Sequence, residues 1–147
     1  MRYVRRFGPV VVLFSILVLL LSPFTACTAG PKPGQQSSSA LEVTPEQAWA
    51  MIQQNKNNPQ FVILDVRTPK EFFQGHIAKA INIDFYSLSF NQELGKLDPA
   101  KTYLVYCRTG GRSGAAQKVM LKMGFKKVYN MTGGILAWSK KGLPVTK

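Results

Sequence analysis

Histidine and cysteine are nearly absent from this chain, with one His and two Cys in 147 residues. His76 with the two separated cysteines, Cys27 and Cys107, cannot assemble a metal site, so neither a metal nor a cofactor is expected. Acidic residues are also scarce, 7 Asp and Glu against 19 Lys and Arg, for a net charge of +12. That balance suits contact with anionic headgroups or the steering of small anions. The basic residues are scattered rather than interleaved with aromatics, so no nucleic-acid role is expected and most lysines read as solvated surface. A membrane-spanning run is missing too. Val10 to Leu21 is a 12-residue stretch interrupted only by Ser15, too short to cross a bilayer comfortably.

What flanks that stretch gives it a meaning. Arg2, Arg5 and Arg6 precede it, and Leu21-Ser22-Pro23-Phe24-Thr25-Ala26-Cys27 closes it with small residues, the three-part layout of a secretory signal. Phe24-Thr25-Ala26-Cys27 resembles the bacterial lipoprotein processing box, which implies that Cys27 becomes the lipidated first residue of the mature protein. Cleavage after Ala29, with loss of Cys27, and an uncleaved anchor stay open. The expected organisation is a signal peptide over residues 1–26, a lipidated Cys27 with a flexible tether over 27–40, and one domain over 41–147. The expected location is outside the cytosol, as a membrane-anchored lipoprotein facing the periplasm or cell exterior. The tether, rich in Pro, Gly, Gln and Ser, reaches at most about 40 Å when extended. With Cys27 committed to lipid or removed, Cys107 has no intramolecular partner and no structural disulfide is expected. A solitary reactive thiol outside the cytosol is open to oxidation.

From Leu41 onward, short apolar runs alternate with helical patterns. Leu41 to Val43 reads as a strand. Thr44-Pro45-Glu46-Gln47 reads as an N-cap, a Pro at the first helical position and an acid in the first turn of a helix reaching about Gln54. Phe61 to Val66 is a continuous apolar strand, as expected when both faces are covered. Pro69 to Phe73 (helix), Ala80 to Ile83 (strand), Ser87 to Leu94 (helix), Tyr103 to Tyr106 (strand), Ser113 to Met123 (helix), Val128 to Asn130 (strand) and Ile135 to Lys141 (helix) follow. This alternation predicts an α/β fold with a parallel sheet between helices. Trp138 and the pair Phe72-Phe73 are expected in the core.

Cys107 stands where the Tyr103 strand hands over to the Ser113 helix, at the carboxyl end of the sheet where ligands of such folds sit. Gly110 and Gly111 allow the amides of Thr109 to Ser113 to curl around one point. Making thiolate the main species at neutral pH requires a pKa drop of about two units, or about 2.7 kcal/mol. A helix dipole supplies about 0.3–1 kcal/mol, up to about 2. The remainder must come from loop amides and from Arg108 and Arg112, which would also attract a small dianion. Thr109 and Ser113 are placed either to donate hydroxyl hydrogen bonds to the sulfur or to cap the helix. A cysteine phosphatase loop has its phosphate-gripping Arg six positions after the Cys; here that position is Ser113, and Arg112 comes one residue early.

Cys107, Arg108, Gly110 and Arg112 resemble the Cys-Arg-x-Gly-x-Arg loop of the single-domain rhodaneses, a family of thiosulfate-type sulfurtransferases. The resemblance covers roughly residues 41–147. It includes Asp65-Val66-Arg67, Glu71-Phe72, Gly75-His76-Ile77 and, downstream, Gly133-Gly134-Ile135-Leu136-Ala137-Trp138. Lys79 departs from it, because family members often carry Gly in that turn. The resemblance implies a three-layer fold with a central five-stranded, mainly parallel sheet. It implies transfer of a sulfane sulfur from thiosulfate, or a related small anionic donor, to cyanide or a thiol through a persulfide on Cys107. Arg108, Thr109, Gly110, Gly111, Arg112 and Ser113 would bind the donor. Asp65, Arg67, Glu71 and His76 are expected in structural roles: Asp65 through hydrogen bonds, Arg67 and Glu71 as an i,i+4 ion pair, His76 holding a turn. The competing readings are a persulfide relay for another exported protein, a Cys-dependent phosphatase or arsenate reductase, and a non-catalytic rhodanese-like binding module.

Overall fold

The computed structural model describes residues 41–147, so the signal peptide, Cys27 and the tether lie outside the described residues. The elements are β1 (Leu41–Val43), α1 (Pro45–Gln54), β2 (Phe61–Asp65), α2 (Pro69–Gln74), β3 (Ile81–Asn82), α3 (Phe90–Leu94), β4 (Thr102–Tyr106), α4 (Gly111–Lys122), β5 (Lys127–Met131) and α5 (Gly134–Lys140). The strands form one sheet in the order β1-β5-β4-β2-β3, and every pairing is parallel. This is the predicted α/β architecture, with no antiparallel strand in the sheet among the described residues.

Two helix starts follow directly from sequence chemistry. Thr44 and Thr68 each accept the backbone N–H three residues ahead, and Gln47 and Glu71 reach back to the cap amides, with Pro45 and Pro69 just inside. These capping boxes satisfy amides that a helix leaves without partners, and proline costs nothing where no N–H is needed.

The core is split by the sheet. On one face Leu64, Val66, Tyr103 and Val105 pack with Phe90 and Leu94 of α3 and Ala116 and Met120 of α4. On the other, Ile63, Leu104 and Tyr106 pack with Ala48 of α1 and with Ile135 and Trp138 of α5. Alternate residues of β2 and β4 therefore enter opposite layers, which is why both strands read as unbroken apolar runs.

Phe73 and the third helix depart from expectation, and the turn at Lys79 is now defined. Phe73 is 76% exposed and lies outside the core, while Phe72 is half-buried and stacks on His76 at 3.8 Å. The third helix begins at Phe90 rather than Ser87. The Ser87 hydroxyl accepts the Ser89 N–H at 3.2 Å, a local bond that competes with helix. Lys79 takes the left-handed conformation at φ 65°, the sole non-glycine with positive φ among the described residues. The turn after Ile77 thus keeps the geometry a glycine would serve, with a lysine in it.

Candidate active site

β2 and β4 run in register from Phe61 beside Thr102 to Asp65 beside Tyr106, so the two strands end level. Cys107 is the next residue after β4 and is fully buried. Gly110 then turns the chain at φ 102° and caps α4, whose first turn begins at Gly111, two residues earlier than the sequence pattern suggests. Gly134, at φ 55°, closes the site from behind. A Cβ there would lie 2.5 Å from the Cys107 carbonyl oxygen and from the Arg108 carbonyl carbon. The bare backbone lets the start of α5 donate Ile135 N–H to the Cys107 carbonyl at 2.9 Å and Leu136 N–H to the Arg108 carbonyl at 3.2 Å. With those carbonyls turned toward α5, the loop amides are left to face the sulfur.

The Cys107 Sγ accepts the Gly110 N–H at 3.1 Å. The Ser113 hydroxyl has one proton and two acceptors within reach, the Gly110 carbonyl at 3.1 Å and Sγ at 3.5 Å. Of the two roles expected of it, Ser113 takes the one toward sulfur; it does not cap the helix, whose N-cap is Gly110 with no side-chain cap bond. Burial pushes the Cys107 thiol up, but hydrogen bonding from the Ser113 hydroxyl and from the amides of Ser113, Thr109 and Gly110 more than offsets it. The thiol ends below its ordinary value, so it ionises more readily than a free cysteine.

The two arginines of the loop differ in kind. Arg108 is exposed and makes no ion pair among the described residues. Arg112 donates through both terminal nitrogens to the Glu71 carboxylate, at 2.8 and 2.7 Å, and its guanidinium lies 5.5 Å from the Tyr86 ring centroid. The hydrogen bond from Arg112 holds the Glu71 carboxyl at about 2, burial opposing and Thr68 assisting.

The expected Arg67–Glu71 pair is therefore not formed. α2 begins at Pro69, so Arg67 precedes the helix and no i,i+4 relation exists. Arg67 instead folds back on fully buried Asp65, with Nη2 to Oδ2 at 2.6 Å, and reaches the Gly75 carbonyl at 2.7 Å. Its guanidinium lies 5.7 Å from the Tyr106 ring centroid. The Asp65 carboxylate accepts from the Arg67 N–H and guanidinium, and it makes no hydrogen bond to Cys107. His76 contacts the Phe72 carbonyl through Nδ1 at 3.1 Å, and its backbone exchanges two hydrogen bonds with Thr146. Thr109 and Gly111 are exposed at the loop's outer rim.

Two residues without any motif complete the site. Tyr86 flanks Arg112, and Asn130 of β5 donates Nδ2–H to the Gly110 carbonyl at 3.3 Å. Asn130 was open to detection as a polar residue in a strand expected to be buried. A concavity of about 730 Å³ lies near the opposite end of β2, lined by Trp49, Ile52, Phe61 and Lys79 among others, and includes none of the predicted site residues. Among the described residues, no cluster of three His, Cys, Asp or Glu could hold a metal, and no helix is long and apolar enough to cross a membrane.

A parallel α/β sheet that delivers a hydrogen-bonded, ionisable sulfur to the mouth of a helix defines a cysteine-centred group-transfer domain. The chain belongs to the rhodanese-like domain family, whose model matches residues 44–141. It is 29% identical over 96 residues, 65% of this chain and 88% of the relative, to a sulfurtransferase of Allochromatium vinosum. It is 38% identical over 91 residues, 55% of this chain and 76% of the relative, to the chloroplastic thiosulfate sulfurtransferase 16 of Arabidopsis thaliana. Among solved structures, a rhodanese-related protein from Thermoplasma volcanium superposes with a TM-score of 0.60 at 31% identity, over 72% of this chain and 97% of that one. Family membership and these relatives support sulfurtransferase activity in general.

Proposed function

We propose that this protein moves a sulfane sulfur from thiosulfate, or a related anionic donor, to a thiophilic acceptor such as cyanide or a thiol, with Cys107 as the carrier. The observation that carries this reading is the Cys107 sulfur itself, hydrogen-bonded by Gly110 and within reach of Ser113, with its pKa lowered. The thiolate attacks the outer sulfur of thiosulfate; the S–S bond of the donor breaks, and sulfite leaves with its electron pair. Cys107 then holds a persulfide. An acceptor thiolate or cyanide attacks the terminal sulfur and releases the Cys107 thiolate, in a ping-pong sequence. Amide dipoles fixed before reaction stabilise both sulfur anions without reorganising. Cys107→Ser should abolish thiosulfate-dependent formation of thiocyanate; turnover retained in that variant sinks the mechanism.

The Arg112–Glu71 pair favours a second reading, a persulfide relay. It leaves Arg108 as the cation near the loop without an ion pair, so a dianion gains less here than two unpaired arginines would provide. Faster loading of Cys107 by a protein persulfide than by thiosulfate would select the relay. Export and lipidation of Cys27 are proposed from the sequence alone, and acyl chains on Cys27 in the exported protein would be their signature.

A further inference from the structure

Asn130 is 5% exposed, and its Oδ1 has no hydrogen-bond partner among the described residues. Buried amides normally satisfy both ends, so an orphaned carbonyl marks a side chain whose orientation is dictated by its other end. That other end is fully used. Nδ2 donates to the Glu42 carboxylate of β1, at 3.2 and 3.3 Å to its two oxygens, and to the Gly110 carbonyl at 3.3 Å. Reversing the amide would turn an acceptor toward the Glu42 carboxylate and the Gly110 carbonyl and forfeit the bond Asn130 gives to each.

The opposing helix is built around this contact. Gly114 occupies the first turn of α4, where alanine is the better helix former. A Cβ at Gly114 would lie 3.2 Å from Asn130 Nδ2, so the missing methyl is the space through which the amide reaches the loop. The Gly110 carbonyl consequently accepts three donors: Asn130 Nδ2, the Gly114 N–H at 2.9 Å and the Ser113 hydroxyl at 3.1 Å. Gly110 is also the residue whose N–H meets Cys107 Sγ. Gly110 has glycine's freedom to leave φ 102°, so its orientation depends on what holds its carbonyl.

We propose that Asn130, aligned by Glu42, is a positioning residue that fixes Gly110 so that its amide points at the Cys107 sulfur, and thereby sets the reactivity of that sulfur. Of the charged groups around the site, Arg112 with its partner Glu71 of α2 and exposed Arg108 make no bond to Asn130, whereas exposed Glu42 of β1 loses its donor when Asn130 is changed. The inference rests on the reading of Cys107 as an ionised nucleophile.

The test is the pH profile of iodoacetamide labelling at Cys107, followed on the full chain by mass spectrometry of its peptide, from about pH 5 to about pH 10. Asn130→Leu keeps the volume and removes the donors. Its labelling at neutral pH should fall roughly threefold to tenfold, with the profile displaced to higher pH, in a variant whose melting transition shows that it is folded. Gly114→Ala, which pushes the amide aside, should move the profile in the same direction by a smaller amount. Profiles in both folded variants that superpose on the parent's overturn the role of Asn130. A parent profile rising only in the ordinary thiol range would instead overturn the ionised nucleophile itself.

Discussion

Both oxygens of Glu71 are occupied by Arg112, so the charge that the loop motif places beside the sulfur is largely cancelled before any donor arrives. Glu71 also accepts from the Thr68 N–H at 3.1 Å and hydroxyl at 3.0 Å, tying the pair to the cap of α2. Glu71→Gln separates these two roles, because glutamine serves the capping box as well as glutamate but carries no charge. Thiosulfate should then bind better, with KM lower by roughly threefold to tenfold and kcat little changed, an effect that salt diminishes. A KM that stays put, or rises as kcat falls, would make Glu71 a holder of Arg112 and nothing more. At this scale the loop residues were legible and their partners were not. Cys107, Arg108, Gly110 and Arg112 announce themselves by local spacing. The Glu71–Arg112 bond spans 41 positions and depends on where α2 begins, which spacing alone misassigned to Arg67.

Among the elements, those with chemical punctuation were the ones read well. β1 matches its expected bounds, and α1 and α2 start at their Thr-Pro caps. β3 was harder, because only Ile81 and Asn82 pair with β2, and Ile83 adds one N–H bond to the carbonyl of Asp65, the last residue of β2. The turn before it depends on Lys79 in the left-handed region, a conformation that costs an L-residue with a Cβ roughly 1 kcal/mol. The compensating bond, Lys79 Nζ to the Lys56 carbonyl at 3.1 Å, is exposed and contributes little. Lys79→Gly should therefore stabilise the domain by at most about 0.5 kcal/mol, most of the relieved strain being lost to the greater freedom of glycine in the unfolded chain. Urea denaturation reads this directly; a midpoint below the parent's would show that the lysine contact outweighs the strain.

With so few acids on so basic a chain, the molecule's response to pH is set by where those acids sit. Glu46 bonds Lys141 at 2.6 Å, joining the start of α1 to the end of α5, and Glu71 joins α2 to α4 through Arg112. The side-chain hydrogen bond from Lys141 holds Glu46 at about 2, and that from Arg112 does the same for Glu71, against an ordinary 4.5. A carboxyl whose folded-state value is depressed contributes stability that is fully present above the unfolded value. That contribution shrinks as pH falls from 4.5 and is gone once both groups protonate near 2. Glu46 is the more exposed of the two, so its share is small and sensitive to salt, and Glu71 dominates. Protonation also raises an already positive net charge, adding repulsion in the compact state. Stability, measured by urea denaturation at successive pH values, should be level from neutrality to about pH 5 and then decline steadily toward pH 2. Glu71→Gln should flatten that decline, since it removes the group whose proton uptake drives most of it. An equally steep decline in the variant would show that the acid sensitivity does not reside in Glu71.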